Sequence, residues 1–300
     1  MIHTDQINEL GLVAYAQEPL APYSFFKIGG AAELLVKPTT TQELAAVVCL
    51  CKKTATDYTI LGDGANCLIS DRGLKGLVII THQMKHIHIV GNNIVTDCGV
   101  RMSKLADTAM KAGLAGCEFA SGIPGTIGGG IYMNAGAYDS QMSAIVSSAE
   151  VLHGTEHKTL SNDALGFQYR HSVLSTDDYT ILSATFHLTP GDTQQINHKM
   201  HELNAKRRAS QPLEYPSAGS IFKRPEGHFA GKLIQDAGLK GYKIGGAQIS
   251  EKHAGFIINI GGATAMNVYQ LIKHIQKTVL EHSGVMLEPE VRLLGAFECV

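Results

Sequence analysis

A chain of 300 residues, 44% apolar and 17% charged with a formal net charge of −2, has enough material for one large domain or two ordinary ones. Its near-neutral balance leaves no electrostatic footprint for nucleic acid or acidic lipid, so neither is expected as a partner. No apolar stretch reaches membrane-spanning length and the N-terminal MIHTDQINEL lacks a signal-peptide core; the six cysteines and fourteen histidines show no metal-ligand spacing, which predicts reduced thiols, no metal site and a cytoplasmic location.

In chain order, an N-terminal extension of about twenty residues precedes TQELAAVVCLCKKTA at 41–55, which has apolar residues at helical spacing and a threonine cap. YTILG at 58–62 reads as a strand entering a turn; GLVII and HIHIV read as further strands, and NNIVTDCGV follows a hairpin-like turn. RMSKLADTAMKA at 101–112 reads as a helix closed by Gly113. Beyond a glycine-rich loop, SAEVLH and YTILSATFHLTPGD are strand-like, and GDTQQINHKMHELNAKRRAS is a polar helix. From 216 onward the order is turn, helix, strand, helix, strand. The second of these helices carries a stripe of Met266, Tyr269, Leu271 or Ile272, Ile275 and Val279, which is core packing. Strands and helices mix without regular βαβ repeats, which predicts an α+β protein with a boundary near 195.

Two glycine loops stand out. GDGANC at 62–67 follows a strand but has Cys67 at the third glycine position and no helix behind it, so it is not a Rossmann fingerprint. GIPGTIGGG at 122–130 has no Lys-Ser/Thr pair, so it is not a P-loop. Glycine lets a backbone approach a ligand and aim N–H groups at its oxygens, and a pyrophosphate can be held that way without lysine. Ordinary tight turns are the competing reading.

YSFFKIGGAAELLVKP, LGDGANCLISDRGLKGLVI, EFASGIPGTIGGGIYMNAGAY, GFQYRHS, AGSIFKRPEGHFAGKLIQDAGLKG, AQISEKHAGFIINIGGATA and LEPEVRLLG follow one another in that order. Together, over residues 20–296, they resemble the UDP-N-acetylenolpyruvoylglucosamine reductase (MurB) family. The resemblance implies a vanillyl-alcohol-oxidase-type (PCMH-like) FAD-binding domain at 1–195 and a smaller α+β substrate-binding domain at 196–300. It implies non-covalent FAD, NADPH as co-substrate and UDP-N-acetylglucosamine enolpyruvate as substrate, in a monomeric enzyme of peptidoglycan-precursor synthesis. One wall of the FAD pyrophosphate site would be Gly62, Asp63, Gly64, Ala65 and Asn66; the other would be Gly122, Pro124, Gly125, Thr126, Gly128 and Gly129. Two departures matter. Ala65 stands where the family usually has serine, and the short stretch between Arg170 and Ser220 matches the subclass without an inserted tyrosine loop.

The family reaction delivers hydride to an alkene carbon and leaves negative charge on the neighbouring carbon and its carboxylate. Such chemistry needs electrostatic stabilisation and a proton donor. By resemblance, Arg170 grips the carboxylate with a planar two-pronged guanidinium, Ser220 protonates the carbon, and Glu290 lies beside the carboxylate. Were LEPEVRLL a strand, Glu288, Glu290 and Arg292 would share one face and Leu287, Val291 and Leu293 the other. Asn134 and Tyr138 are candidates to line the cleft. Lys223, Arg224 and the run Lys206 to Arg208, with Arg208 foremost, are candidates for the UDP phosphates. A flavin oxidase with the same FAD domain and a non-enzymatic flavin or UDP-sugar sensor are the alternatives; the blocks around Ser220 and Glu290 favour the reductase.

Overall fold

The computed structural model describes residues 2–297, so Cys299 lies outside the described residues. The chain forms two compact units, one of Met1–Ala16, Leu34–Asp63 and Gly76–Arg207, the other of Gln17–Glu33, Gly64–Lys75 and Arg208–Val300. This differs from a linear division at 195. The reason is long-range pairing: Phe26, Ile28 and Leu68 share a core with the C-terminal helices, and local patterning carries no trace of that. The polar helix Thr193–Ser210 lies in the first unit as far as Arg207.

The first unit contains a five-stranded antiparallel sheet in the order Glu156–Ser161, Val146–His153, Tyr179–His187, Asn93–Asp97, Ile87–Val90. In Tyr179–His187 the residues Thr180, Leu182, Ala184 and Phe186 are buried in strict alternation, the period of a pleated strand. Helix Met102–Lys111 buries Met102, Leu105, Ala106 and Ala109 at helical spacing. Helix Thr41–Lys53 starts where the sequence predicts, with the Thr40 hydroxyl accepting from Glu43 N at 3.1 Å. Leu44, Val47, Val48 and Cys51 from that helix meet Leu77 and Ile79. Strand Tyr58–Leu61 runs parallel to Leu77–Ile80 and delivers the first glycine loop from its C-terminal end.

The second unit holds a three-stranded antiparallel sheet, Lys243–Ile244, Ala247–Ile249 and Ile257–Asn259, with helices Ala230–Asp236 and Ala265–Ser283. The long helix buries Ala265, Val268, Leu271, Ile272, Ile275 and Val279. Val268 thus leads the stripe in place of Met266, which sits in the first turn. There the Asp71 carboxylate accepts from Ala265 N at 2.7 Å and Met266 N at 2.9 Å, satisfying two helix-terminal donors. Strand Arg292–Leu294, the end of the LEPEVRLLG segment, pairs in parallel with Cys67–Ile69.

Candidate active site

Within the first unit the two glycine loops touch. A Cβ on Gly62 would collide with the Thr126 hydroxyl, so the backbone of one loop lies directly on the side chain of the other. An ion pair reinforces the junction: Arg101 Nε sits 2.8 Å from Asp63 Oδ2, and the Asp63 carboxylate is buried. Asp63, expected on the cofactor wall, is therefore spent on holding the loop. Arg101 escapes a reading by pattern alone, though a cation at the N-cap of a helix opposes the macrodipole and signals another task.

The 122–130 loop is less free than a backbone cradle requires. Ile127 N donates to Val100 O at 2.7 Å and Gly128 N to Cys98 O at 2.8 Å. Gly128 is buried against Cys98 and Ile181, so glycine there serves close packing and not ligand contact. Gly125, at φ +114°, passes its carbonyl to Met102 N, which leaves Gly129 as the exposed glycine of the loop. A Cβ on Gly122 would run into Asn204 Oδ1 and come within 3.2 Å of Arg207 Cδ. Arg207 Nε is buried without a hydrogen-bond partner. Burial pushes the guanidinium down from its ordinary value, and the titratable group acting on its charge is the Tyr138 phenol, not a carboxylate. Arg207 as a whole is half-buried, but a guanidinium whose Nε is shut off and unpartnered suits an anion. Contacting glycine loops and this unpartnered Nε fit a bound dinucleotide. Gly62, Thr126, Gly129 and Arg207 are the residues that would hold it from this unit. Gly64, Ala65 and Asn66 belong to the second unit; Gly64 has φ +59° and accepts from Phe25 N at 3.3 Å.

Arg170 occupies the corner of a two-residue turn closed by Gln168 N to His171 O at 3.0 Å and His171 N to Gln168 O at 3.3 Å. Its φ is +54°, a left-handed conformation that costs a non-glycine residue about 1 kcal/mol or more. Its guanidinium carbon lies 5.0 Å from the centre of the Tyr169 ring. Asn134 is completely buried, and its amide is used internally: Nδ2 donates to Gln168 O and Oδ1 accepts from Ser143 N, both at 3.0 Å. It does not line a cleft as the resemblance suggested. Tyr138 is 40% exposed, and its hydroxyl donates to Leu203 O at 3.1 Å.

In the second unit the segments carrying Ser220 and Glu290 are antiparallel neighbours. Glu290 N donates to Ile221 O at 2.7 Å and Lys223 N to Glu288 O at 2.9 Å. Ser220 is exposed and bridges to Phe256 on its other side, with Ile221 N donating to Gly255 O. Asn66 clasps the same segment: Nδ2 donates to Glu290 O at 3.1 Å and its carbonyl accepts from Arg292 N at 3.0 Å. Leu287 and Val291 are buried as alternation predicts, but Leu293 is 40% exposed, so the alternating face ends at Val291. Lys223 is paired with Glu288 at 2.5 Å, and Arg224 lies 3.9 Å from the Phe229 ring centre; Arg208 is exposed.

Comparison with known proteins accounts for both units. Residues 32–157 match the FAD binding domain model, which defines a flavoprotein; residues 211–294 match the UDP-N-acetylenolpyruvoylglucosamine reductase C-terminal domain. The Pediococcus pentosaceus UDP-N-acetylenolpyruvoylglucosamine reductase is 50% identical over 279 residues, 93% of each chain. The enzyme of that name from Caldanaerobacter subterraneus is 46% identical over 94% of this chain and 93% of its own. The crystal structure of the Thermus caldophilus reductase superposes with a TM-score of 0.82 at 31% identity, covering 95% of this chain and 99% of that one. The chain belongs to the UDP-N-acetylenolpyruvoylglucosamine reductase family.

Proposed function

We propose that Arg170, Ser220 and Glu290 carry the chemistry of a UDP-N-acetylenolpyruvoylglucosamine reductase. The reaction follows from the family: UDP-N-acetylglucosamine enolpyruvate is reduced to UDP-N-acetylmuramate with NADPH and FAD, a step of peptidoglycan-precursor synthesis. Bound FAD supplies the hydride. The observation that carries the residue assignment is the pairing of Glu290 N with Ile221 O, which puts a carboxyl and the Ser220 hydroxyl on adjoining backbone. The Ser220 hydroxyl gives its proton to the substrate carbon next to the carboxylate; a carbanion-like centre is basic enough to take it when the geometry is right. The Arg170 guanidinium holds the carboxylate by parallel hydrogen bonds and stays charged as electron density builds there. Glu290, close to that carboxylate, gains proton affinity from the like charge and donates a hydrogen bond to it. Arg208, Arg224 and Lys223 are assigned to the UDP phosphates, with Lys223 exchanging Glu288 for phosphate, and Tyr138 to the cleft lining.

The enzyme is read as the shorter subclass, since strand Tyr179–His187 and helix Thr193–Ser210 take up most of the chain between Arg170 and Ser220. It is also read as a cytoplasmic monomer that binds no nucleic acid. Among the described residues no helix is long and apolar enough to cross a membrane. Purified protein should be yellow, bleach with NADPH under nitrogen and regain colour on adding UDP-N-acetylglucosamine enolpyruvate. A protein that NADPH leaves coloured, but that recolours in oxygen after reduction by a sugar alcohol, would be an oxidase instead. Acid precipitation should leave the flavin in the supernatant; a yellow pellet would mean a covalent attachment.

A further inference from the structure

The turn that presents Arg170 is strained, exposed around its corner and only two residues across. Backbone pairing closes it, and the His171 ring meets Ser175 Oγ at 2.7 Å. Two further side-chain bonds tie it to the end of the glycine-rich helix Ile127–Tyr132 and the residues just beyond. Ser172 Oγ donates to Tyr132 O at 2.9 Å, and Asn134 Nδ2 donates to Gln168 O at 3.0 Å. Gln168 O is the carbonyl that also receives His171 N, so the Asn134 bond lands on the closing atom of the turn itself. Asn134 in turn is held by Ser143 N on its Oδ1. It is fully buried and sits at φ +43°, a conformation asparagine tolerates better than most residues. A buried amide at positive φ with donor and acceptor both engaged is a rigid peg.

We propose that Asn134 is a positioning residue for Arg170: it registers the arginine turn against the glycine helix of the cofactor loop, and so sets where the guanidinium meets the substrate carboxylate. The inference rests on Arg170 being the residue that grips that carboxylate. A buried amide that served only stability would affect the whole unit and would act independently of Arg170. A positioning residue acts through Arg170 and loses its influence when the guanidinium is gone.

The test is a double-mutant cycle read by binding, with turnover not required. Oxidised holoenzyme is titrated with UDP-N-acetylglucosamine enolpyruvate, and the perturbation of flavin absorbance gives Kd. Asn134→Gly keeps the positive φ accessible while removing both amide bonds; Arg170→Asn removes the guanidinium and also tolerates positive φ. Asn134→Gly should raise Kd about tenfold in the wild-type background and less than about twofold in the Arg170→Asn background, the size of coupling found between contacting residues. The rate of flavin bleaching by NADPH should be unchanged. Equal losses in both backgrounds would overturn the proposal and make Asn134 structural. An Arg170→Asn enzyme that binds substrate as tightly as wild type would overturn the prior assignment of Arg170, a distinct failure. Should Asn134→Gly lose FAD on purification, Asn134→Asp, which keeps the Ser143 bond and lacks the donor to Gln168, must show the same coupled loss. Loss of FAD from both variants would place Asn134 in the cofactor cradle and overturn the positioning role.

Discussion

Arg170 in the first unit and the Ser220–Glu290 pair in the second are carried by different kinds of backbone. Arg170 sits at φ +54° on a hairpin corner, held from outside by side chains of Asn134 and Ser172. Ser220 and Glu290 lie on segments bonded to one another and to Phe256 and Gly255 through main-chain groups, and neither residue has a positive φ. Main-chain pairing is indifferent to side-chain identity, so the second region should accept side-chain changes with little structural consequence. The first stores strain of about 1 kcal/mol at the very residue assigned to bind charge, and strain of this kind persists only where the surroundings over-determine it. Substitution should therefore separate chemistry from stability in the second region and mix them in the first.

The largest effect is expected for Ser220→Ala. The hydroxyl serves a single event, protonation of carbon, so anaerobic stopped-flow should show normal bleaching by NADPH. Recovery of colour with the enolpyruvyl substrate should slow by on the order of 10³-fold, within the span of general acid catalysis. Stability should match wild type. If both half-reactions slow together, Ser220 supports cofactor placement and the contrast between the regions fails. Arg170→Lys comes next. It keeps the charge and loses the planar fork, so kcat should fall roughly 10²-fold, as for loss of one donor to a developing anion. Steady-state turnover near wild type would remove Arg170 from the site.

The same division governs what could be read from the residues alone. Arg170, Ser220 and Glu290 are assigned only through the family resemblance of the blocks that carry them; by pattern alone an arginine in FQYRHS, a serine in AGSIF and the charges of LEPEVRLL read as ordinary surface and turn residues. Helices such as Thr41–Lys53 and Met102–Lys111 were accessible because caps and 3.6-residue periodicity are local. Hidden were the features made by residues distant in sequence: the Asp63–Arg101 pair, the Thr126 hydroxyl against Gly62, and the Asn66 clasp on Glu290. The packing role of Gly128 was hidden for a related reason. A glycine that admits a ligand and one that admits a neighbouring Cβ look identical in sequence, and only the Cys98 and Ile181 contacts distinguish them. Strain at Arg170 was invisible because arginine gives no warning of a positive φ.

That strain predicts a smaller effect of opposite sign. Arg170→Gly removes the Cβ penalty at φ +54°, so the protein should gain about 1 kcal/mol, offset in part by the freer unfolded chain, while losing turnover. The net is a rise of a few degrees at most in Tm, measured calorimetrically on holoenzyme. A clear fall in Tm would mean that the guanidinium, stacked 5.0 Å over the Tyr169 ring, contributes more to the turn than the strain costs.

The smallest effect concerns acid and falls on the second region. His253 stands behind Ser220: its Nδ1 accepts from Gly255 N at 3.1 Å, its ring meets Phe256 edge-on at 5.0 Å, and these two residues pair with Ile221 and Ser220. Burial, with a smaller contribution from the Lys240 charge, lowers its pKa below 6.5 in the folded state, although its own backbone opposes the shift. The unfolded chain therefore binds a proton at His253 more readily than the native one. Stability rises with pH wherever the unfolded state holds more protons, so this histidine costs nothing above the unfolded value of about 6.5 and destabilises increasingly as pH falls below it. Protonation would also remove the acceptor for Gly255 N. His253→Gln keeps an acceptor without a titration, and its urea midpoint should fall less than that of wild type between about pH 6.5 and pH 5. The protection factor of the Ile221 amide, corrected for the intrinsic exchange rate at each pH, should fall with acid in wild type while those at Gln168 and His171 do not. Parallel midpoint curves for the two proteins would clear His253 of the effect, and equal acid sensitivity at Gln168 would show that the two regions loosen together.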